Sequence, residues 1–170
     1  MTGIVKRMTW RNLRVGDAFR IPLHGGSEGV GIVLLPGQEL YLGFYSSLLE
    51  EKGTLARNIN SLGALRLIGL TTDELFYHGD WNLIGNFPVP VYPRPKHVVN
   101  CQEGLVLCDF DRKILRQANK SIDLPLFGYR KSVSNISFTK ALNCIHKLAD
   151  LEYDFTKIDV NEAWKREHAS

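Results

Sequence analysis

The chain lacks any apolar run near the ~18 residues needed to cross a bilayer. Its N-terminus also lacks the apolar stretch of a secretory signal, because Lys6, Arg7, Arg11 and Arg14 interrupt it. A cytoplasmic location and no membrane partner are expected. Cysteine is scarce: Cys101, Cys108 and Cys144 are an odd number, which fits reduced thiols better than a disulfide framework. Internal repeats and low-complexity tracts are missing too. Charge of one sign is weak, with a net +3 over 170 residues, far below a typical nucleic-acid binder. At 44% hydrophobic and 23% charged, the composition is that of an ordinary globular protein. Its length suits one domain, residues 1–170, with a core that needs no metal or disulfide.

Chemical motifs are equally sparse. The Gly-rich segment from His24 to Gly31 has no Lys after its last Gly, as a phosphate loop requires, and its spacing fails the dinucleotide pattern. His24-Gly25-Gly26 has no Gly-x-Ser-x-Gly elbow to accompany it as an oxyanion hole, so it reads as a hairpin turn. His97, Cys101, Cys108, Cys144 and His146 are zinc-ligand types, but no Cys-x-x-Cys exists and they fall on different elements. No metal and no cofactor are expected. Asp109 and Asp111 would share a strand face and could serve acid–base work, yet Arg112 and Lys113 follow them directly, as in a solvated turn. His78 and Asp80 have the types for an acid–base pair, without a linked nucleophile. No catalytic set emerges, and the chain is expected not to be an enzyme.

The pattern of apolar residues is more informative. From Val15 to Leu23, Phe19, Ile21 and Leu23 alternate with Ala18, Arg20 and Pro22, the period of a strand. Val30 to Leu35 and Glu39 to Tyr45 are further strands, joined by His24–Ser27 and Pro36-Gly37, which implies an antiparallel meander. Ser46 to Asn60 suggests a short helix and a loop. Ala64 to Leu70 is a strand. Thr71-x-x-Glu74 is a capping box, with Gly79 placed to stop its helix. Pro88, Pro90, Pro93 and Pro95 favour an extended path. They mark the best domain boundary, though one short enough to cross a single core. Gly104 to Phe110 and Ile114 to Gln117 pair as strands, and Asp123 to Arg130 reads as loop. Phe138, Leu142, Ile145 and Leu148 or Ala149 recur at helical spacing, and Asp159-x-x-Glu162 opens a last helix bearing Trp164. The fold class is therefore α+β. A mostly antiparallel sheet, as a meander or partly closed barrel, packs with a few helices concentrated in the C-terminal third.

Two blocks carry a family likeness. VGDAFRIPL with the following GVGIVL gives Gly16, Asp17 and Pro22; the stretch from Thr72 to Pro88 gives Trp81, Ile84, Gly85, Asn86 and Pro88 in order. Together they span roughly residues 14–100, and the sequence resembles the Imm26 family of immunity proteins from bacterial polymorphic toxin systems. The resemblance implies a small α+β cytoplasmic protein that binds the C-terminal domain of a cognate toxin and neutralises it by occlusion. Past about residue 105 no motif aligns, which leaves a C-terminal helical extension. The chain is also mildly basic, whereas inhibitors of nuclease toxins are often acidic.

Under that reading the family-typical residues are structural, with Trp81 and Ile84 expected in the core. Contacts must vary with the toxin, so exposed aromatic and Arg side chains in loops are the candidates, since such residues dominate interface energetics. These are Tyr92, Arg94, Tyr129 and Arg130. The alternative is a small nucleic-acid-binding module using Lys6, Arg7, Arg11, Arg14 and Arg20 with the Pro/aromatic/Arg stretch. A hydrolase built on His78, Asp80 or the Asp109/Asp111 pair is the least supported.

Overall fold

The strands expected at the N-terminus form where β-branched and aromatic residues recur, and a computed structural model describes residues 8–49, 59–150 and 152–170. In chain order the described elements are β1 (Asp17–Pro22), β2 (Glu28–Leu35), β3 (Leu40–Tyr45), β4 (Leu65–Thr71), α1 (Glu74–His78), β5 (Asn82–Asn86), β6 (His97–Cys101), β7 (Gly104–Cys108), β8 (Ile114–Gln117), α2 (Asp123–Phe127), α3 (Asn135–Ile145) and α4 (Val160–His168). They fall into two compact units. The first comprises Met1–Pro90 and Ser132–Ile158, the second Val91–Lys131 and Asp159–Ser170. The change of unit at Pro90 lies inside the Pro88–Pro95 stretch.

The first unit is an open five-stranded sheet in the order β4-β3-β2-β1-β5, antiparallel throughout. It is a meander extended by β5, not a closed barrel. One face carries Phe19, Ile21, Val33, Leu42, Phe44 and Leu67, all fully buried, and Phe76, Trp81 and Phe138 pack onto them. The rings interlock. Phe19 stacks on Trp81 at 5.0 Å and meets Phe76 edge-on at 4.7 Å, while Phe44 stacks on Phe138 at 4.3 Å. Such pairs add ~0.5–1.5 kcal/mol each beyond area burial. Gly31 makes this possible: a Cβ there would lie 2.3 Å from Phe19 Cζ. Helix α3 joins the same core through Phe138, Ala141 and Leu142. Its first residue, the buried Asn135, accepts from Thr71 Oγ1 at 2.8 Å and donates to the Thr72 carbonyl at 3.0 Å.

The two blocks behind the family likeness meet in this unit. Asp17 accepts the Arg14 amide at 2.8 Å and the Asn86 side-chain amide at 2.8 Å. Asn86 also donates to the Val15 carbonyl at 2.9 Å, and Phe87 N–H donates to the Gly16 carbonyl at 2.8 Å. Gly16 has φ +87, and a Cβ would sit 2.3 Å from the Phe87 oxygen. Only glycine fits there without strain.

The second unit holds the antiparallel sheet β6-β7-β8 with α2 and α4. Among its described residues Val98, Leu107 and Phe127 form one buried cluster, with Leu105, Leu124, Ala118 and Ala169 around them, and Val106, Phe110 and Ala163 are buried as well.

Several expectations need correction. Gly85 lies in β5, opposite Ala18. Ile84 is half-buried rather than core. The register jumps from Ala18↔Gly85 to Phe19↔Leu83, so Ile84 is the extra residue of a bulge. Asp123–Phe127 is a helix rather than a loop, since Pro125 falls in its first turn, where a missing N–H is harmless. The strand from Gly104 stops at Cys108, and α3 stops at Ile145, followed by Lys147 at φ 54. The Thr71 capping box does not form. Thr71 ends β4 and faces Val133 and Asn135, and α1 follows Asp73, whose carboxylate accepts the Trp10 N–H at 2.7 Å. Asp159 does cap α4, accepting from Asn161 N–H, but Glu162 turns to Lys165 instead of closing the box. Of the Ser46–Asn60 segment, Ser46–Leu49 is not helical, and residues 50–58 lie outside the described residues.

Candidate partner-binding surface

The second unit concentrates what the first one hides. It contains ten Lys and Arg against seven Asp and Glu, whereas the first contains eleven of each. The whole net charge of the chain therefore resides in the smaller unit. Among described residues it also carries six of the nine exposed large apolar side chains: Val91, Ile114, Leu115, Ile122, Leu126 and Tyr129.

Two of the four contact candidates come together. The Arg94 guanidinium lies 5.1 Å and the Arg130 guanidinium 5.4 Å from the centroid of the Phe110 ring, so both share one aromatic side chain. Arg130 Nη1 donates to the Phe110 carbonyl at 2.8 Å and lies 3.5 Å from His97 Nε2. Arg94 pairs with the exposed Asp111. Residues 36 apart in sequence meet because Gly128–Arg130 runs along β6: Val98 N–H donates to the Gly128 carbonyl, and Arg130 N–H to the Val98 carbonyl. Tyr129 bridges Val98 at this point and is exposed, whereas Tyr92 is half-buried. Nothing local in the sequence marks Phe110 as a hub.

Burial holds the His97 imidazole below its ordinary value. The Pro95 carbonyl acts against that shift, and the Arg130 charge reinforces it. Burial also pushes the Cys108 thiol up, the opposite of a reactive cysteine. The strongest polar joint is bidentate. Arg116 donates to both Asp123 oxygens at 2.6 and 2.7 Å, and the Asn119 N–H adds a third bond at 2.6 Å. The Arg116 hydrogen bonds, then the Asn119 N–H, draw the Asp123 carboxyl down to about 2. This pair fastens β8 to α2.

The other candidates disperse. Asp109 and Asp111 sit in the turn after β7, where Asp109 accepts the Lys113 N–H. His78 is exposed, its ring against Tyr77, and Asp80 is exposed as well. Among the described residues no three His, Cys, Asp or Glu side chains cluster as metal ligands. Of the N-terminal cations, Arg11 lies over the Trp10 ring and Arg20 pairs with Glu28; Lys6 and Arg7 lie outside the described residues. Among those residues no helix is long and apolar enough to cross a membrane. Comparison with protein-family models, with curated proteins and with solved structures finds no match to this chain.

Proposed function

We propose that this protein is an immunity protein of the Imm26 kind, which binds the C-terminal domain of a cognate toxin in the cytoplasm and neutralises it by occlusion, without catalysis of its own. The observation that carries the reading is the split in surface chemistry. The residues of the family likeness, Gly16, Asp17, Trp81, Gly85 and Asn86, are engaged in holding one sheet together. Exposed aromatic, aliphatic and cationic side chains instead gather in Val91–Lys131, where a toxin-specific surface is free to vary. Tyr129, Arg94 and Arg130 are its proposed anchors, with Tyr92 at its edge.

The test is co-expression with the toxin domain encoded beside the gene. Protection of the cell and a tight one-to-one complex are expected; loss of viability despite a folded, abundant protein would sink the reading. A nucleic-acid module is the second reading, favoured by the concentration of the whole net charge in one unit. It requires binding that falls steeply with salt, and absence of any binding at low salt eliminates it.

A further inference from the structure

We infer that His97 is a pH-sensitive latch: its neutral imidazole holds Arg130, and with it the Gly128–Arg130 segment, on β6, and protonation in mildly acidic solution releases that segment. His97 is only 6% exposed, and both ring nitrogens face a polar group. Nδ1 faces the Pro95 carbonyl at 3.4 Å, an oxygen that can only accept, which assigns the ring proton to Nδ1. Nε2 is then the bare acceptor, and Arg130 Nη1 lies 3.5 Å from it. A guanidinium only donates and is always charged. A proton on Nε2 would set N–H against N–H and positive charge against positive charge, in a place that water barely reaches.

The other groups around the ring leave that conflict in place. Cys108 lies opposite His97 across the β6–β7 ladder, and burial keeps its thiol protonated. Asp109 favours the imidazolium, but Arg112 opposes it together with Arg130. Arg94 is turned to Asp111, and Asp123 on α2, which packs on β6, is bound to Arg116. Burial is the first reason that the imidazole titrates below the ordinary 6.5. Neutral His97 therefore stabilises the fold fully above 6.5, and that contribution is lost as pH falls through the lowered value. The loss falls first on Gly128–Arg130. Val98 N–H to the Gly128 carbonyl at 2.8 Å and Arg130 N–H to the Val98 carbonyl at 3.3 Å attach this segment, whereas β6 pairs with β7 along its whole length. A short attachment opens more easily than a full ladder. Opening displaces Tyr129, the exposed ring that bridges Val98. The latch is separate from Asp123, whose carboxyl titrates at about 2, and it does not rest on the proposed toxin.

The test follows the full protein by NMR and hydrogen exchange from about pH 7.5 to about pH 5. The His97 ring should titrate below 6.5. After correction for intrinsic exchange, the Val98 and Arg130 amides should lose at least ~tenfold of their protection over that range, while amides of the β2–β3 ladder keep theirs. His97→Gln, which leaves an uncharged side chain facing Arg130, should flatten the pH dependence. Arg130→Gln, which keeps the imidazole and removes the opposing charge, should raise the His97 midpoint. Should His97→Gln fail to fold, the titration of the parent protein and Arg130→Gln decide the matter. A His97 midpoint at or above 6.5 overturns the inference, as does an unmoved midpoint in Arg130→Gln. Protection at Val98 and Arg130 that persists through the His97 titration, or that survives unchanged in its pH dependence in His97→Gln, overturns it too. So does simultaneous loss of protection across β6, β7 and β8, which would make His97 a stabiliser of the whole unit and not a latch.

Discussion

The first unit is built on a large aromatic cluster, the second on a smaller apolar cluster with Arg-centred joints beside it. In the first, Phe19, Phe44, Phe76, Trp81 and Phe138 form one aromatic cluster, and β2 and β3 are buried over nearly their whole length. In the second, Val98, Leu107 and Phe127 form a smaller buried cluster. Arg116–Asp123 and the two guanidinium groups on Phe110 do much of the joining. A core that fills its space tolerates little change. A surface organised by Arg, Tyr and exposed aliphatics tolerates substitution, and a binding specificity that must track a partner needs that tolerance.

The sharpest way to break this contrast is at Phe19. Phe19→Ala should cost ~3–5 kcal/mol, read by urea unfolding; a loss under about 1 kcal/mol would show that the ring cluster does not dominate. Gly16→Ala comes next, at ~1–3 kcal/mol from its left-handed backbone with the Phe87 oxygen in the way. The same substitution at the exposed Gly25, which has φ +70 but nothing within 4 Å of its Cβ, isolates the backbone part of that cost.

The third test concerns pH. The folded Asp123 carboxyl, at about 2, lies below its ordinary 3.8. Its pairing therefore stabilises fully above the ordinary value and is lost as pH falls through the folded one. Unfolding of the second unit should become easier as pH drops from about 4 toward about 2, and Asp123→Asn should remove that dependence. The smallest effect on stability belongs to Tyr129→Ala. It should stay within ~0.5 kcal/mol of the parent protein while weakening the proposed toxin binding roughly tenfold, or ~1.4 kcal/mol. Equal losses of both would mean that Tyr129 is structural.

Much of the first unit was readable from local pattern. β1 to β4 follow alternation and apolar runs, Gly79 ends α1 in the left-handed conformation at φ 81, and α3 follows its helical spacing. β5 escaped because Asn82, Gly85 and Asn86 are poor strand formers, and pairing with β1 overrides them. α2 was hidden by Pro125 and β6 by the proline stretch before it. Arg94 and Arg130 read as exposed cations, yet Arg130 is half-buried, and their convergence on Phe110 depends on the Val98–Tyr129 bridge, a non-local pairing that no spacing reveals. The charge division between the units could have been counted from residue numbers alone, had the unit boundaries been known.

The proposed division of labour between a packed unit and a recognising unit is tested most directly by hydrogen exchange on the complex with the proposed partner, a toxin domain. Slowed exchange confined to Val91–Lys131, centred on Gly128–Arg130, is the expected result. Slowed exchange confined to β1, β5 and the Gly16–Asn86 joint would contradict it, placing recognition on the residues here assigned to the fold.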